Sequence, residues 1–400
     1  MRALLPIALL VSLCCPAQRV AAQSPSRGDL EARLRERPND AVVLFRLAAL
    51  EASEGRADGA LRYLDAVSRA PGDLDPSFYR GFWSLHGDAR YEEIVTRIRA
   101  AQPPLVRSAL AFEIPERDLH PEGIAFDPIS RATFVGSFKG KIVRVDSLGA
   151  ASDFMRIPPD ASARVVVGIR VDSGRRHLWA TVDDPKALGD PTVHGGSIHQ
   201  YDIVSGRLLA VHGPVTGAFN DLVVAPNGDV FATNTTEGAV WVIPSSDRSL
   251  RRFTAPGSVP EANGIAVDPT GRQLYVGGWH DIQVVSTADG RVRPLTSAVP
   301  VVTASFDGLY WYDGGLVGIQ NGLHPGRVVR LRLDQSGAKI TSAELIERYH
   351  PQFAGMTTAA LDGMSLLYIV NTQSRRFLPD GTVRPGEILD PIRVVRVPLR

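Results

Sequence analysis

The chain has 400 residues, of which 44% are hydrophobic, and this is enough to bury the core of a large domain with a smaller one beside it. Its 44 Lys and Arg residues almost balance its 43 Asp and Glu residues. With no excess of positive charge, the composition argues against a nucleic acid or an anionic membrane as the partner.

The first 22 residues have the pattern of a secretory signal peptide. Arg2 is followed by an apolar run from Ala3 to Cys15 that is too short to span a bilayer, and Val20-Ala21-Ala22 fits a small-residue cleavage site. Both cysteines of the chain lie in this segment, so we expect no disulfide in the mature protein. Lipid anchoring through one of these cysteines is the less favoured alternative. The expected location is the periplasm or the medium of a bacterium, with no membrane span.

Residues 23–104 predict an α-helical segment, because Ala, Leu, Arg and Glu recur there at helical spacing. Leucines of a first helix precede Gly55, and those of a second helix lead to Pro71. This order resembles one tetratricopeptide unit, and residues 76–101 suit a second, degenerate helix pair. Three such units are usually needed for an independent solenoid, so we expect the segment to pack on the domain that follows Gln102-Pro103-Pro104. It is either a surface for a protein partner or a second copy, or a capping appendage.

A short phrase recurs six times after residue 120. In chain order the copies are Glu122-Gly-Ile-Ala-Phe-Asp, Val167-Gly-Ile-Arg-Val-Asp, Asn220-Asp-Leu-Val-Val-Ala, Asn263-Gly-Ile-Ala-Val-Asp, Asp307-Gly-Leu-Tyr-Trp-Tyr and Met356-Thr-Thr-Ala-Ala-Leu-Asp. Successive copies begin 43 to 53 residues apart. A period of this length indicates one supersecondary unit that is repeated along the chain.

Each repeat has the pattern of a small antiparallel sheet. The phrase itself forms a first strand, a turn such as Asp127-Pro128 follows, and a second strand resumes with residues such as His177-Leu-Trp-Ala. A third strand, as at Lys141-Ile-Val-Arg-Val, and a fourth complete a blade of about 45 residues. Six copies predict an all-β six-bladed β-propeller over residues 108–400. A parallel β-helix has shorter repeats, and a β-sandwich does not repeat this regularly.

The first position of the phrase varies in a way that predicts a metal site. It holds Glu122, Asn220, Asn263 and Asp307 in four copies, with Val167 and Met356 in the other two. First strands line the central channel of a propeller, so we expect these side chains to converge. Two carboxylates and two amides favour Ca²⁺, with Mg²⁺, Mn²⁺ or Zn²⁺ as alternatives. Hydrogen bonding to turn backbone is the competing explanation at any single position. Burying four such groups together without a cation is costly, however.

The loops between second and third strands return to the same face of the propeller, so we expect them to surround the metal. With Asn220, they supply the candidate substrate-binding residues His194, Asn234, Trp279, His280, Asn321, His324 and Asn371. The loop of blade two, from Asp183 to His194, is predicted to be the longest and is a candidate lid. Each histidine is either a surface residue or a proton carrier near the metal.

These phrases resemble the senescence marker protein/gluconolactonase family, which includes regucalcin, and more distantly the paraoxonases. The matching residues are Pro121-Glu122-Gly123, Phe219-Asn220-Asp221, Asn263-Gly264-Ile265-Ala266-Val267-Asp268-Pro269 and Asp307-Gly308, within about residues 108–400. The resemblance implies that Glu122, Asn263 and Asp307 bind a divalent metal and that Asn220 contacts metal or substrate. Members open lactone rings, typically of sugar acids. The sugar-acid lactonases have an Arg two residues before that Asn, and Ala218 at this position argues against aldonolactones as substrates.

Two hypotheses from different classes of protein fit these residues. The first is a metal-dependent lactonase or esterase, in which the metal polarises the carbonyl of a small substrate and Asp307 or Asp221 activates water. A serine nucleophile is disfavoured, because no Gly-x-Ser-x-Gly phrase accompanies a plausible triad. The alternative is a non-catalytic periplasmic propeller that uses the metal for rigidity. It would bind a ligand or a protein partner, with the helical segment as the docking surface.

Overall fold

The computed structural model describes residues 26–400 except residues 159, 279 and 323. The predicted signal peptide, residues 1–22, and the candidate residue Trp279 lie outside the described residues. The segment before the propeller is helical, as the sequence predicts. Its α-helices are α1 (Arg27–Glu36), α2 (Ala41–Ser53), α3 (Ala57–Val67) and α4 (Ala89–Ala101), and its 3-10 helices are Pro76–Phe78 and Arg80–Leu85. None of the described helices is long and apolar enough to cross a bilayer.

Local chemistry explains the limits of these helices. The Asp40 carboxylate accepts from the backbone N–H groups of Val42 and Val43 and so caps the start of α2. Gly55 has a φ of 73°, which lets it reverse the chain between α2 and α3 without steric cost. These two helices form the predicted pair around Gly55. In place of the first helix of a second pair there are two 3-10 helices, in a stretch where Gly81 lowers helix propensity.

The chain from residue 109 onward forms six sheets, which make the predicted six-bladed β-propeller. The first strand of the chain is β1 (Ala109–Ile114). Blade one consists of β2 (Pro121–Phe126), β3 (Thr133–Ser137), β4 (Lys141–Val145) and β5 (Ala151–Arg156). Blade two consists of β6 (Val165–Asp172), β7 (His177–Asp183), β8 (His194–Asp202) and β9 (Leu208–Thr216). Blade three consists of β10 (Phe219–Val224), β11 (Val230–Asn234), β12 (Ala239–Ile243) and β13 (Arg251–Arg252).

The remaining blades follow the same order from the channel outward. Blade four consists of β14 (Ile265–Val267), β15 (Gln273–Gly277), β16 (Ile282–Ser286) and β17 (Val292–Pro294). Blade five has β18 (Thr296–Ser297) on its outer edge and β19 (Phe306–Tyr312), β20 (Gly315–Gln320), β21 (Arg327–Leu333) and β22 (Lys339–Arg348). Blade six consists of β23 (Ala359–Asp362), β24 (Ser365–Ile369), β25 (Ile392–Pro398) and β1. The strand nearest the N-terminus therefore closes the ring, with β1 antiparallel to β25.

The glycine that follows the variable position has a packing role. A Cβ on Gly123 would lie 2.2 Å from the carbonyl oxygen of Val167 in the next blade, and one on Gly264 would lie 2.8 Å from that of Asp307. Neighbouring first strands thus approach so closely that a side chain does not fit between them. This close approach holds the variable positions in a tight ring around the channel.

The helical segment packs on blades four and five, at the face where the first strands begin. Apolar residues of α2 and α3 share a buried cluster with Val302 and Ala304, which precede the first strand of blade five. Arg33 of α1 forms an ion pair of 2.6 Å with Asp281, in the loop between the second and third strands of blade four. This placement agrees with the expectation that the segment packs on the propeller. Its likeness to a tetratricopeptide unit and the exact domain limits remain predictions.

The longest loop between second and third strands belongs to blade six, and the expectation that blade two has it is wrong. In blade six this loop covers residues 370–391, whereas in blade two it covers residues 184–193. The full length of the blade-six loop was not predictable, because the 3-10 helix Ser374–Arg376 and the later turns give no strand signal in the sequence. A loop of this length at the mouth of a channel is the kind that carries function.

Candidate metal centre

The variable positions lie where the first strands bulge. In blade one, Pro121 pairs with the last residue of the second strand, and the register shifts before Ile124, so that Glu122 lies in the bulge. Asn220 and Asp307 lie in equivalent irregularities of blades three and five. A bulge turns a side chain away from the regular pleat and is common beside active sites. Bulges therefore direct these side chains out of the sheets.

Glu122 and Asp307 come together in the channel, although they are 185 residues apart in sequence. The hydroxyl oxygen of Thr357 lies 3.0 Å from Glu122 Oε1 and 3.0 Å from Asp307 Oδ2. A hydroxyl has one hydrogen and can donate to only one carboxylate at a time. The other carboxylate must rely on other donors, on a proton of its own or on a cation.

Thr357 occupies the variable position of blade six, and the assignment of Met356 to it is wrong by one residue. Counting back from Asp362, which matches Asp127 of blade one, gives Thr357 as the partner of Glu122. The side chain of Met356 instead packs in a buried cluster between blades five and six. The error arose because Thr357-Thr358 contains no glycine to fix the alignment. The ring thus contains a hydroxyl where a thioether was expected.

Two amide side chains complete the environment of Asp307. Asn263 hydrogen-bonds to this carboxylate, and Asn321 donates to both Asp307 Oδ2 and the carbonyl oxygen of Met356, the latter at 3.0 Å. The Oδ1 atom of Asn263 is buried and has no hydrogen-bond partner in the described part of the chain. An unpaired buried carbonyl oxygen beside two carboxylates is a ready ligand for a hard cation.

Burial makes both carboxyl groups hard to ionise in the protein without a cation. It raises the pKa of Glu122 to about 8, with a further contribution from the negative charge of Asp307. Burial raises the pKa of Asp307 as well, against the opposing hydrogen bonds from Thr357, Asn321 and Asn263. Raised carboxyl pKa values in a cleft are typical of functional sites.

Deeper in the channel, Asp221 forms an ion pair with Arg170. Its Oδ2 accepts from Arg170 Nη2 at 2.7 Å and from the backbone of Ile265 at 3.3 Å, and its Oδ1 accepts from the backbone of Leu222 at 2.8 Å. The Arg170 guanidinium also lies over the ring of Tyr310, 4.5 Å from its centre. Burial raises the pKa of Asp221 to about 6, against the opposing effect of Arg170. Asp221 therefore has little freedom to act as a base.

Arg170 is a channel residue that the sequence interpretation missed. The signal was present, because the phrase of blade two has Arg170 where blades one and four have Ala125 and Ala266. Taken together, the described carboxylates of Glu122, Asp221 and Asp307 and the guanidinium of Arg170 have a net charge of −2 when all four are ionised. One divalent cation balances this charge.

The residues present fit a hard divalent cation. Glu122, Asp307 and Asn263 offer oxygen atoms, and Asn220 takes the equivalent position in blade three, where it is 8% exposed. Within the described residues, no three His, Cys, Asp or Glu side chains are grouped as a metal site. Carboxylate oxygens supplemented by amide carbonyls suit Ca²⁺ better than Zn²⁺, which prefers thiolate and imidazole.

Two of the expected substrate-binding residues support loops instead of facing the channel. The amide of Asn371 donates to the carbonyl of Pro391 at 2.8 Å, and its oxygen accepts from the backbone of Arg393 at 2.7 Å. The fully buried Asn234 donates to the carbonyl of Thr216 at 3.1 Å. These contacts correspond to the competing explanation, in which Asn hydrogen-bonds to nearby backbone. Among the rim residues that the structure describes, Asn321 differs from these two in donating a hydrogen bond to Asp307.

The three rim histidines lie in different surroundings. His194 is exposed and lies 3.2 Å from the hydroxyl of Thr216. His280 and His324 lie against the helical segment, where burial lowers the pKa of His280 to about 3 and that of His324 to about 4. The His324 ring is 5.9 Å from that of Phe78, between centres.

Another histidine at the mouth was not predicted. His120, two residues before Glu122, is stacked between Phe138 and Phe377 at 4.6 and 4.3 Å between ring centres. Phe377 belongs to the long blade-six loop, which this contact holds at the side of the mouth. Burial lowers the pKa of His120 to about 4, so the ring is neutral at physiological pH. The adjacent Pro121-Glu122 phrase was the only sequence signal for it.

No protein-family model and no curated protein sequence matches the chain. Solved structures with a similar fold include the PQQ-bound aldose sugar dehydrogenase of Streptomyces coelicolor, at 13% identity and a TM-score of 0.46, covering 74% of this chain and 99% of that one. Virginiamycin B lyase of Staphylococcus aureus is 14% identical, with a TM-score of 0.47 and coverage of 72% and 98%. A protein designated a gluconolactonase is 16% identical, with a TM-score of 0.45 and coverage of 74% and 93%. At this level of similarity they say nothing about the reaction.

Proposed function

We propose that this protein is a Ca²⁺-dependent hydrolase that opens a lactone or cleaves an ester in the propeller channel. One observation supports this more than any other. The carboxylates of the buried Asp307 and the half-buried Glu122 both lie 3.0 Å from the hydroxyl of Thr357, next to the unpaired Oδ1 of Asn263. Such a cluster is unfavourable without a cation and favourable with one.

The cation would be held by Glu122, Asn263 and Asp307, with Asn220 as a further contact. Bound there, Ca²⁺ supplies a Lewis acid that polarises a carbonyl group and favours negative charge on its oxygen. Asn321 and Thr357 orient Asp307 by hydrogen bonds, which keeps the carboxylate in one rotamer. The carboxylate of Asp221 already accepts hydrogen bonds from Arg170 and from two backbone N–H groups. In this proposal, the proton of an attacking water therefore passes to the Glu122–Asp307 pair.

Ala218 leaves the rim of blade three without the arginine that the resemblance associates with sugar-acid lactones. Its side chain is 2% exposed, and its backbone N–H donates to Thr236 at 3.0 Å. There is thus no cationic or long polar group at this position to bind sugar hydroxyls. A substrate with fewer hydroxyl groups, such as an alkyl lactone or an aryl ester, suits this rim better than an aldonolactone.

The proposal is tested by hydrolysis assays over a panel of aldonolactones, alkyl lactones and aryl esters, with Ca²⁺ and with EGTA. Activity on at least one lactone or ester should require Ca²⁺ and should be lost in Asp307→Asn and Asn263→Ala variants that remain folded. Asn371→Ala, assayed at a temperature at which it remains folded, is the control on the same face, because Asn371 hydrogen-bonds to loop backbone instead. Activity that survives EGTA and both substitutions would refute the proposal.

The second candidate function is a metal-stabilised propeller that binds a ligand or a protein partner without turnover. The observation in its favour is the helical segment, which has exposed aromatic side chains at Phe78 and Trp83. Against it, part of the apolar surface of the segment is already used in packing on blade five. Stoichiometric Ca²⁺ binding without turnover on any member of the panel would select this function.

A further inference from the structure

We infer that the helical segment holds Asn321 in position against Asp307. By doing so, the segment raises the affinity of the channel for the metal. This inference rests on the proposed metal site. Asn321, which bridges Asp307 and the backbone of Met356, lies in the loop between the second and third strands of blade five. Contacts from the helical segment reach this loop from outside the channel.

The middle of the loop is held at His324. Its carbonyl oxygen accepts from the backbone N–H of Asp75 at 2.7 Å, and its ring lies against Phe78. Asp75 is fully buried, and its carboxylate accepts from Arg99 of α4 at 3.0 Å and from Tyr349 of blade five at 2.8 Å. A buried carboxylate with charged and neutral donors on both sides fixes the two parts relative to each other.

The two ends of the loop are held by a second set of contacts. Gln320, just before Asn321, donates to the carbonyls of Val302 and Ala304 at 3.0 and 2.8 Å. Its Oε1 accepts from Arg327 at 2.7 Å, and Arg327 in turn donates to the carbonyl of Gly72 at 2.8 Å. The residues from Gly72 to Phe78 therefore hold the loop at its middle and at its end.

The position of Asn321 thus depends on residues such as Asp75 and Phe78, which do not contact the proposed metal ligands themselves. Outer partners that orient a ligand typically change metal affinity by about 10- to 100-fold when they are lost. Asp75 and Phe78 act one step further out, so a smaller effect is expected. Both are positioning residues in this scheme, and their action on the metal passes through Asn321.

The experiment uses the full chain and Ca²⁺ as the probe. Phe78→Ala removes a ring that is 42% exposed, so the variant should fold, and Asp75→Asn is the second variant. The matched control is Trp83→Ala, which removes a 55% exposed ring that packs on Arg80 within the segment. Calorimetric titration gives the affinity for Ca²⁺, and hydrogen exchange of the metal-free protein gives the protection of the loop around Asn321.

We expect Phe78→Ala to weaken Ca²⁺ binding about fivefold and to speed amide exchange in the loop, while Trp83→Ala leaves both unchanged. In an Asn321→Ala background, Phe78→Ala should have no further effect on affinity, because the shared path is already broken. Unchanged affinity in Phe78→Ala and Asp75→Asn, or an equal loss in the Asn321→Ala background, would overturn the inference. If the wild-type protein binds no Ca²⁺, the proposed metal site fails and the inference fails with it.

Discussion

Glu122 and Asp307, from blades one and five, each lie 3.0 Å from the same hydroxyl group, that of Thr357. Because both oxygens contact one atom, they are at most about 6 Å apart, with Asp307 buried and Glu122 half-buried. Two ionised carboxylates at this separation repel each other strongly. A divalent cation or a shared proton relieves the repulsion, and the choice between them makes the site sensitive to Ca²⁺ and to pH.

Thr357→Val should weaken Ca²⁺ binding by about tenfold, because the two carboxylates lose the hydroxyl that orients them. Thr357→Ser keeps the hydroxyl and should bind as the wild type does. Met356→Leu is the control, since Met356 packs between blades five and six. Calorimetric titration of the three variants is the measurement. A loss of affinity in Met356→Leu with none in Thr357→Val would restore Met356 to the ring.

Stability without metal should depend on pH through Glu122. Its pKa is raised from 4.5 to about 8, so between these values the folded protein retains a proton that the unfolded chain has released. The contribution of this group to stability is fully present below the lower value and is lost as pH rises through the upper one. In EGTA, the melting temperature of the wild type should fall progressively as pH rises through this window, relative to that of Glu122→Gln.

The same proton should compete with the metal. Ca²⁺ affinity should rise with pH over the window in which Glu122 ionises, and binding should release protons into the buffer. Calorimetry in two buffers of different ionisation enthalpy measures the number released. Proton release that is the same in Glu122→Gln as in the wild type would assign the titration to another group.

The Arg170–Asp221 pair should be structural. Asp221→Asn leaves the Arg170 guanidinium unpaired and should cost about 3–5 kcal/mol of unfolding free energy, as should Arg170→Met. The double variant Arg170→Met/Asp221→Asn should recover much of this loss, because no unpaired charge remains. Urea denaturation of the three variants checks this. A double variant that is stable but inactive, in a protein with proven hydrolase activity, would indicate a catalytic role for Asp221 after all.

Asn371 and Asn321 should differ although both lie on the rim. Asn371→Ala leaves the backbone groups of Pro391 and Arg393 unpaired and should cost about 1–3 kcal/mol of stability, with Ca²⁺ affinity unchanged. Asn321→Ala should instead lower Ca²⁺ affinity by about tenfold or more, with a smaller effect on stability. Thermal denaturation and calcium titration of both proteins separate the two roles. A reversal of this pattern would place the binding face at blade six.

The fold was predictable from the sequence periodicity, because each blade repeats the same pattern of strands and turns in a continuous stretch of chain. Closure of blade six by β1 gave no such signal, since the pairing joins residues that are 278 to 287 positions apart. The ring of variable positions was predictable where Gly123, Gly264 and Gly308 fixed the alignment, and it failed at Thr357 where no glycine did. Side-chain direction was the main limit: Asn234 and Asn371 occupy the expected loops but turn toward backbone.

The contacts of the helical segment could not be predicted for a related reason. Asp75 and His324 belong to separate patterns, and nothing in either pattern specifies that they meet. The apolar face of the segment only indicated that some surface would cover it. Its position over blades four and five depends on specific pairs such as Arg33 with Asp281, which are isolated charges in the sequence.

The most direct test of the metal site is calorimetric titration of Ca²⁺ into the metal-free wild-type protein and into the double variant Glu122→Gln/Asp307→Asn. The substitutions preserve shape and remove the two charges, so the variant should fold and should lose the repulsion. We expect one Ca²⁺ per chain in the wild type and no measurable binding in the variant. Equal binding by the two proteins, or no binding by the wild type, would contradict the proposed metal site.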